Sequence, residues 1–545
     1  MSFWDALFGD DGTGSHFLSV PDGGGWRQIT WLSVVREAEA YAHGLRSRGV
    51  GSGDIVGTVL TNSAEAVSGL LGIWLAGAAA ASLPVPARGM DLPEYTAQLL
   101  ALTGDFHDAL ILTDDPIASV LDAAAGEPGL MHGWSEVRGA GRLADGPPSG
   151  AEIAFLQYSS GSTSAPKGCM LSADAIASQV GIIMEMLDAT PCDEVAVSWL
   201  PLSHDMGLFG VLLPSCAYGG DLFLSSPERF LRSPGSWFDD CMETGARMTA
   251  GPDSALRLAA RAAGTTRSSA PLRLDHLIVG AEPIHGGTID AATSAYADAG
   301  LTADVFLCAY GMAEATLAVT AIGRDESPTA IAVDGEALAA GVVEIREGHA
   351  QDSVSIVSVG QPLKGVSVAL ADGPPNALAE IQVRSPSLAA GYFHDPDRTA
   401  RQFVDNSFLT GDLGFLHDEQ LYVIGRLDDM ISVSGRNVFA TEVESAMASL
   451  GAIRRGCCTI VDVRQQDGAM LVALAEVAED STDLKQLAAE MSQLAVRVAG
   501  VRLDECLFLP KGGLPKTPSG KVQRYRSRRL AMQAEGDEAA RISLT

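Results

Sequence analysis

The chain has 545 residues, of which 47% are apolar and 19% are charged. This balance is typical of a globular protein with more than one buried core, and the length fits about two to four domains. The formal net charge of −31 at pH 7 repels nucleic-acid phosphates and anionic lipid. The composition therefore disfavours general nucleic-acid binding.

At the N-terminus, acidic residues stand where a signal peptide would carry Lys or Arg, so export is not expected. The apolar residues 66–86 are long enough to raise the question of a membrane span. However, they are mostly Ala and Gly, and Pro84 and Pro86 interrupt their end. They predict a buried helix that leads into a buried strand, in a cytoplasmic protein without an integral membrane segment.

The cysteines indicate neither a disulfide framework nor a zinc site. There are eight of them in this long chain, and no pair has CxxC spacing. We expect reduced, buried thiols.

The first part of the chain alternates helix and strand patterns. Residues 30–48 have the apolar spacing of an amphipathic helix, which Thr30 can cap and Gly49 can end. A buried strand pattern at residues 54–60 comes next, before the helix and strand of residues 66–86. Strand patterns return at residues 194–200, 220–224, 274–279 and 304–308. Strands that alternate with helices predict a largely parallel sheet.

A change of pattern begins at residue 325. Residues 325–359 have no strong period and look like an insertion, and short strands separated by Gly, Pro and Asp then run to about residue 425. A new alternation of strands and helices starts at residue 426. The sequence therefore predicts an α/β fold with a large N-terminal domain at residues 1–425, made of parallel-rich sheets plus a β-rich subdomain, and a smaller α/β domain at residues 431–545.

A loop rich in small hydroxyl residues, YSSGSTSAPKG at residues 158–168, follows a buried strand pattern. Its backbone N–H groups and hydroxyls can donate to phosphate oxygens, and a lysine adds positive charge. The spacing is not that of a Walker loop, and taken alone such a loop is also typical of a flexible linker. The candidate phosphate-binding residues are Ser159, Ser160, Gly161, Ser162, Thr163 and Lys167.

Further segments follow this loop in order: WLPLSHDMGL at residues 199–208, GAEPI at 280–284, YGMAEAT at 310–316, TGDLGF at 410–415, GRLDDMISVSGRNVFATEVE at 425–444 and LPKTPSGK at 514–521. Together these segments resemble the serial signatures of the adenylate-forming superfamily of acyl-CoA synthetases, peptide-synthetase adenylation domains and luciferases. The resemblance covers nearly the whole chain. It implies activation of a carboxylic acid by ATP, with Mg²⁺, to an acyl-AMP and pyrophosphate.

Within that superfamily the chain looks most like the fatty acyl-AMP ligases, because of LPLSHDMGL, Ala313 in YGMAEAT, and the insertion at residues 325–359 with its text VDGEALAAG. In that group the insertion is thought to limit the domain rotation that coenzyme A needs. The acyl group then passes to the phosphopantetheine of a separate acyl carrier protein. Three alternatives stay open: an acyl-CoA synthetase, an enzyme for an aryl, amino or other non-fatty acid in natural-product biosynthesis, and a non-catalytic relative.

The resemblance implies a role for each matching residue. Tyr310 would stack on adenine, and Asp412 would accept the ribose hydroxyls, which a carboxylate with two oxygens does well. Glu314, helped by Thr163, would bind Mg²⁺. The full nucleotide-binding set is Ser159, Ser160, Gly161, Ser162, Thr163, Lys167, Gly280, Ala281, Glu282, Tyr310, Gly311, Met312, Ala313, Asp412, Arg426 and Lys521.

The catalytic residues implied by the resemblance are Lys521, Arg426 and His204. Lys521, on a mobile C-terminal domain, would bridge the carboxylate and the α-phosphate as charge develops. His204 would gate the acyl site, although a loop histidine satisfied by hydrogen bonds is the alternative. Residues 426–430 with Asp428 would form the hinge, and Gly435 would lie along the pantetheine tunnel.

The acyl group and the carrier protein also have candidate contacts. Trp199, Cys308, Ala309, Met312 and Leu317 would flank the acyl pocket, with core packing as the alternative for each. Carrier proteins are generally acidic, so an equally acidic chain needs a local basic face for docking. The candidates in the small domain are Arg454, Arg455, Arg524, Arg526, Arg528 and Arg529, with a solvated basic tail as the alternative.

Overall fold

The computed structural model describes residues 3–8, 16–85, 92–104, 106, 110–125, 129, 131–140, 146–158, 167–189, 194–324, 326–346, 353–371, 376–427, 430–433, 436–465, 468–478, 483–499, 501–516, 522–533 and 540–544. Its first part alternates strands and helices, as expected. The elements are α1 Phe3–Phe8, β1 Phe17–Asp22, β2 Gly25–Thr30, α2 Trp31–Ser47, β3 Ile55–Thr58, α3 Ala64–Leu75, β4 Ala79–Ser82, α4 Leu92–Thr103, β5 Ile111–Thr113, α5 Asp115–Ala125 and β6 Met131–Gly133.

Local sequence signals explain where these elements begin and end. The hydroxyl of Thr30 accepts a hydrogen bond from the backbone N–H of Ser33 at the start of α2. Gly49, just beyond the end of α2, has φ of +89°. The apolar residues 66–86 contain most of α3 and all of β4, which are buried. Within the described part of the chain, no helix is long and apolar enough to cross a membrane.

The middle of the chain continues the alternation. Its helices and strands are β7 Ile153–Tyr158, β8 Gly168–Ser172, α6 Ala173–Met186, β9 Val195–Ser198, α7 Asp205–Gly207, a π-helical turn at Leu208–Leu212, α8 Leu213–Ala217, β10 Asp221–Leu224, α9 Pro227–Arg232, α10 Ser236–Thr244, β11 Met248–Gly251, α11 Asp253–Arg261, β12 His276–Val279, α12 Gly286–Ala295, β13 Phe306–Gly311 and β14 Ala318–Ala321.

Two large sheets organise these elements. One has the order β6-β5-β3-β4-β7-β8 and is parallel except for the β7–β8 pair. In the other, β13-β12-β11-β9-β10-β1 run parallel, with antiparallel strands at both edges. A single apolar cluster packs both sheets together. Ligands of parallel sheets bind beyond the carboxyl ends of the strands, which here are the ends of β7, β12 and β13.

The expected insertion and β-rich region form two antiparallel sheets. The elements are β15 Ala330–Asp334, α13 Gly335–Ala339, β16 Ile345–Arg346, β17 Ser353–Val357, β18 Gln361–Pro362, β19 Ser367–Leu370, β20 Ala379–Arg384, α14 Pro396–Gln402, β21 Phe403–Val404, β22 Ser407–His417 and β23 Gln420–Arg426. Strands β16-β15-β17 make one sheet, and strands β19 to β23 make the other. Strand β18 belongs to neither of them, because it is the edge strand of the large nine-stranded sheet.

The insertion sheet packs on the β-rich region through a small apolar cluster. Val333 and Ile356 of the insertion pack with Phe415 of β22 and Tyr422 of β23. Phe415 and Tyr422 are register partners whose rings stack at a centroid distance of 5.1 Å. Residues without a strong sequence period therefore still bury an apolar face.

The C-terminal part packs around apolar clusters of its own. Strands β26-β27-β28-β29 form a mixed sheet with helices beside it, so the α/β fold class is confirmed. All seven cysteines in the described residues are buried and free. The elements are β24 Met430–Val433, β25 Arg436–Phe439, α15 Ala440–Met447, β26 Ile453–Gln465, β27 Gly468–Val477, α16 Leu484–Ala499, β28 Glu505–Leu509, α17 Arg524–Gln533 and β29 Ala540–Ser543.

Candidate functional site

A cavity of about 1350 Å³ lies at the carboxyl ends of β7, β12 and β13, with both large sheets contributing to its wall. One part of the lining is polar and includes Lys167, Tyr310, Glu314 and Arg426; we call it the polar part. Another part is lined by apolar or small residues, and we call it the apolar part. It comprises Ile183, Met186, Gly210, Ala250, Ile278 and Leu317.

Three strands bring a tyrosine, an aspartate and an arginine together beside the polar part. Tyr310 is the penultimate residue of β13, and its hydroxyl donates a 2.6 Å hydrogen bond to Oδ2 of Asp412 in β22. Arg426 ends β23 as the register partner of Asp412, with its Nε 3.3 Å from Oδ1. Burial, and then the charge of Asp412, raise the pKa of Tyr310 well above its ordinary value, so its hydroxyl remains a donor.

Both oxygens of Asp412 therefore already have a protein partner. A carboxylate has about four acceptor sites, so each oxygen can still accept a hydroxyl from a ligand. The side chain of Asp412 is 17% exposed and that of Arg426 is 36% exposed. Of the pair, Arg426 lines the cavity, and Asp412 lies directly beside it, held by Tyr310 and Arg426.

Gly311, the last residue of β13, lies where there is no room for a side chain. A Cβ there would come within 1.9 Å of the carbonyl oxygen of Leu317. The backbone N–H of Met312 donates to that same carbonyl at 2.8 Å, which closes a tight loop around Ala313 and Glu314. Met312, Ala313 and Glu314 line the cavity together as a result.

Glu314 is held by a residue that the sequence analysis did not single out. The hydroxyl of Tyr392 donates to Oε1 of Glu314 at 2.8 Å. Burial, and then the Glu314 carboxylate, raise the pKa of Tyr392 above its ordinary value. The Nζ of Lys167 lies 5.7 Å from the centre of the Tyr392 ring, so this tyrosine contacts both a carboxylate and an ammonium group.

The loop after β12 contributes backbone and not a carboxylate to the cavity. Gly280 and Ala281 are lining residues, and Ala281 has a φ of +67°, which is unusual for a residue with a side chain. The Oε1 of Glu282 accepts a hydrogen bond from the backbone N–H of Ser254 in α11. The Glu282 side chain therefore fastens this loop to α11.

His204 precedes α7 and lines the cavity with its side chain 35% exposed. Its Nδ1 lies 2.6 Å from Oδ1 of Asp205. The loop that carries it is held by two amides that the sequence analysis also missed. Asn62 donates to the carbonyl oxygens of Leu200, at 2.9 Å, and Ser225, at 2.7 Å. Gln157 donates to that of Ser203 at 3.0 Å.

The candidate acyl-pocket residues fall into two groups. Ala309, Met312 and Leu317 line the cavity. Cys308 and Trp199 are buried elsewhere: Cys308 is fully buried, which raises the pKa of its thiol to about 12, and Trp199 stacks on Phe230 at a centroid distance of 3.9 Å. These two side chains pack in the core and are absent from the cavity lining that the structure describes.

Several candidate residues lie outside the described residues, and their flanking neighbours are informative. Tyr158 and Lys167, on either side of residues 159–166, both line the cavity, as do Lys516 and Gln523 on either side of residues 517–521. The sequence-predicted residues that the structure does not describe are Ser159, Ser160, Gly161, Ser162, Thr163, Asp428, Gly435 and Lys521.

The donor set suits a hard cation that is shared with a ligand. Within the described ranges, no three His, Cys, Asp or Glu side chains come together as a metal site. Mg²⁺ that is bound to phosphates takes only one or two protein carboxylates. Glu314 is a carboxylate on the cavity wall with one oxygen held by Tyr392, so it fits such a cation.

Half of the candidate carrier-docking arginines form ion pairs inside the C-terminal part. Arg454 pairs with Glu476 and Arg528 with Asp462. Arg524, with 11% side-chain exposure, pairs with Glu444 at 2.5 Å. Arg455, Arg526 and Arg529 are exposed, and Arg526 lines the cavity.

Comparisons with known proteins identify the family of the chain. The sequence profile of the family described as "AMP-binding enzyme" matches residues 13–393. A 4-hydroxyphenylalkanoate adenylyltransferase of Mycobacterium marinum is 29% identical, covering 91% of this chain and 84% of that protein. A putative fatty-acid–CoA ligase, fadD21 of Mycobacterium leprae, is also 29% identical, covering 91% of both chains.

The fold is also that of a solved structure. A structure from a study of fatty acyl-adenylate ligases of E. coli and L. pneumophila superposes with a TM-score of 0.88, covering 98% of both chains at 24% identity. At this identity, the likeness shows the shared fold.

Proposed function

This chain belongs to the AMP-binding enzyme family, which forms adenylates from ATP, and we propose that it is an acyl-AMP ligase. In the reaction, a carboxylate oxygen attacks the α-phosphorus of ATP. The bond from that phosphorus to the oxygen bridging to the β-phosphorus breaks, and pyrophosphate leaves. The single observation that carries the proposal is one cavity that joins the polar part to the apolar part.

The nucleotide would bind at the polar part. The ring of Tyr310 would stack on adenine, beside the backbone of Gly280 and Ala281. Asp412 would accept the ribose hydroxyls with the acceptor sites that Tyr310 and Arg426 leave open. Because the protein already fixes the Asp412 carboxylate, little ordering is left for the nucleotide to impose.

The phosphates would lie between the hydroxyl-rich loop at residues 159–166 and Glu314. Lys167, at the end of that loop, supplies positive charge. Glu314, with Thr163, would hold Mg²⁺, which neutralises phosphate charge when it is bound. The loop hydroxyls and backbone N–H groups would orient the leaving pyrophosphate for displacement in line with the attacking oxygen.

Lys521 would bring the remaining charge to the reacting atoms. We propose that residues 431–545 form a smaller domain that moves about a hinge at residues 426–430, with Asp428 at its centre. The described residues on both sides of residues 517–521 line the cavity, which supports a place for Lys521 at the reaction centre. A lysine on a moving domain can stabilise the transition state and then withdraw.

The acid would be a fatty or related acyl group in the apolar part, beside Ala309, Met312 and Leu317, with His204 as the gate. The acceptor would be the phosphopantetheine thiol of a separate acyl carrier protein, reaching the adenylate past Gly435. The small sheet of residues 330–357, packed against Phe415 and Tyr422, supports this choice of acceptor. By the resemblance stated above, this sheet would correspond to the insertion of the fatty acyl-AMP ligases.

The test is mass spectrometry of the products formed from ATP and a panel of acids, with holo-carrier protein or coenzyme A as acceptor. We expect an acyl-adenylate from fatty acids and an acylated carrier protein. If no acid in the panel gives an adenylate, the proposal is wrong. Adenylate with transfer to coenzyme A alone would overturn the proposed acceptor and leave the first half-reaction standing.

An arylalkanoic acid is a second candidate substrate. The observation in its favour is the similarity to the M. marinum relative, a 4-hydroxyphenylalkanoate adenylyltransferase. The acid panel should therefore include 4-hydroxyphenylalkanoic acids of several chain lengths. A higher kcat/KM for these than for unbranched fatty acids would replace the first candidate by the second.

A further inference from the structure

The residues proposed to contact the phosphates come from distant parts of the chain, and one short segment connects them. Residues 389–393 cross between the end of the hydroxyl-rich loop and Glu314. The backbone N–H of Ala389 donates to the carbonyl oxygen of Glu314 at 2.8 Å. That of Phe393 donates to the carbonyl oxygen of Gly168 at 2.8 Å. The segment is therefore bonded to both walls of the polar part.

Tyr392 lies within this segment and is 2% exposed. Its hydroxyl donates to Oε1 of Glu314 at 2.8 Å. The face of its ring has the Nζ of Lys167 at 5.7 Å and the guanidinium carbon of Arg398 at 5.9 Å from the centroid. These distances fall within the range of a cation–π attraction. One side chain thus contacts the proposed metal-binding carboxylate and the proposed phosphate-binding lysine.

The backbone around Tyr392 leaves it little freedom to move. Gly391 has a φ of +143°, and a Cβ at this position would come within 2.5 Å of Cγ2 of Thr399. The backbone N–H of Tyr392 donates to Oγ1 of the same threonine at 2.9 Å. The close packing against α14 requires glycine before Tyr392 and fixes the direction of the tyrosine side chain.

We propose that Tyr392 is a positioning residue, which orients the Glu314 carboxylate for Mg²⁺ through its hydroxyl and holds Lys167 near the phosphates through its ring. A carboxylate that accepts a hydrogen bond at one oxygen presents the other oxygen in a fixed direction, and such outer partners of a metal ligand contribute strongly to metal affinity. The inference rests on the proposed function, since it assigns Tyr392 a part in the Mg²⁺–ATP site.

Two substitutions separate the two contacts. Tyr392→Phe removes the hydroxyl and keeps the ring, whereas Tyr392→Leu removes both. Binding of ATP to the whole chain is measured by calorimetry, once with Mg²⁺ and once with EDTA. We expect Tyr392→Phe to reduce the gain in ATP affinity that Mg²⁺ gives by about tenfold, and to leave the affinity in EDTA unchanged. Tyr392→Leu should in addition lower the affinity in EDTA by about threefold.

A matched control removes a buried tyrosine hydroxyl away from the cavity. Tyr296 is 3% exposed and donates to the carbonyl oxygen of Ala259 at 3.0 Å. Tyr296→Phe should leave both ATP affinities unchanged. The thermal unfolding midpoint of each variant is also recorded. If Tyr296→Phe lowers the midpoint and the ATP affinity as much as Tyr392→Phe does, the loss of affinity comes from a general loss of stability.

A double-mutant cycle shows whether Tyr392 acts through Glu314. Glu314→Gln keeps an oxygen acceptor and removes the charge. If Tyr392 acts by orienting this carboxylate, adding Tyr392→Phe to Glu314→Gln causes no further loss of the Mg²⁺-dependent gain. The inference is overturned if the two substitutions cause additive losses of the Mg²⁺-dependent gain in ATP affinity. It is also overturned if Tyr392→Phe alone keeps the full gain. A wild-type chain that binds ATP equally well with Mg²⁺ and EDTA would overturn the metal role of Glu314 itself, together with this inference.

Discussion

The polar and apolar parts of the cavity are built in different ways. In the polar part each functional side chain is held by another, as Tyr310 is by Asp412 and Glu314 is by Tyr392. In the apolar part the wall is made of small or apolar residues such as Gly210 and Leu317, which offer shape alone. Hydrogen-bonded side chains of defined type leave motifs in a sequence, whereas a shape can be made by many combinations of residues. This difference explains why the sequence indicates ATP chemistry and leaves the acid open.

The largest effect is expected where the two parts meet, at the reacting atoms. Lys521→Ala should slow acyl-adenylate formation by roughly a thousandfold, because one preorganised charge at a transition state has about that effect. ATP affinity should stay within a few-fold of wild type, since the other phosphate contacts remain. Pyrophosphate exchange and calorimetry measure the two quantities.

The control for this lysine is Lys485→Ala, at an exposed position in α16 of the same proposed domain. It should leave both exchange and ATP affinity unchanged. Near-normal exchange by Lys521→Ala would remove this lysine from its proposed role.

Asp412→Ala tests the polar part, because it removes the carboxylate that contacts Tyr310 and Arg426. We expect ATP affinity to fall by about a hundredfold, because hydrogen bonds to a charged group are the strong ones. The Tyr310 hydroxyl would also lose its acceptor, so the free energy of unfolding should fall by about 1–3 kcal/mol. Asp412→Asn, which keeps one acceptor oxygen, should show a smaller loss of both. Calorimetry and urea unfolding give these values.

Asp397→Ala removes an exposed carboxylate from α14 and serves as the comparison. If Asp412→Ala and Asp397→Ala bind ATP with equal affinity, Asp412 does not contact the ribose.

The apolar part is tested by a change of shape alone. A Cβ on Gly210 would come within 2.9 Å of Cδ2 of Leu317, so Gly210→Val narrows the cavity at that point. We expect kcat/KM for the longest acid accepted to fall by about tenfold relative to shorter acids, the usual effect of a single group in an apolar pocket. ATP affinity should not change. Pyrophosphate exchange over acids of increasing length gives the comparison.

Gly181→Val is the matched variant, because a Cβ on this helical glycine meets no atom within 4 Å. It should leave the preference for chain length unchanged. A preference that is also unchanged in Gly210→Val would show that the acyl group lies elsewhere.

The smallest effect is expected outside both parts, on the surface proposed for the carrier protein. Arg455→Glu combined with Arg529→Glu should slow acyl transfer roughly fivefold at low salt, because charges at the rim of an interface act mainly on association. Adenylate formation should be unaffected. Arg497→Glu with Arg502→Glu, two exposed positions outside α17, is the control. Equal transfer rates in the two double variants would refute this docking surface.

The sequence predicted the members of the polar part better than those of the apolar part. Tyr310, Glu314 and Arg426 all line one cavity although 116 positions of sequence separate the first from the last. For the acyl pocket, Cys308 and Ala309 were both candidates, but neighbours on a strand point to opposite faces of the sheet. Only Ala309 lines the cavity, and Cys308 packs in the core.

The residues that hold the site were not predictable by the same reasoning. Tyr392 reaches Glu314 across 78 positions and Asn62 reaches Leu200 across 138. Such contacts depend on how the sheets and the β-rich region pack, and no local pattern or spacing encodes them. Trp199 is a case in which a motif suggested the wrong place. Its position in the motif predicted the acyl pocket, but stacking on Phe230 keeps it in the core.

The insertion sheet packs on the two strands that carry part of the proposed nucleotide site. Phe415 lies on the same strand as Asp412, and Tyr422 on the same strand as Arg426. A lineage that lost the insertion would uncover these two rings and loosen the strands behind Asp412 and Arg426. The packing of the insertion sheet on Phe415 and Tyr422 therefore ties the stability of that sheet to the placement of Asp412 and Arg426.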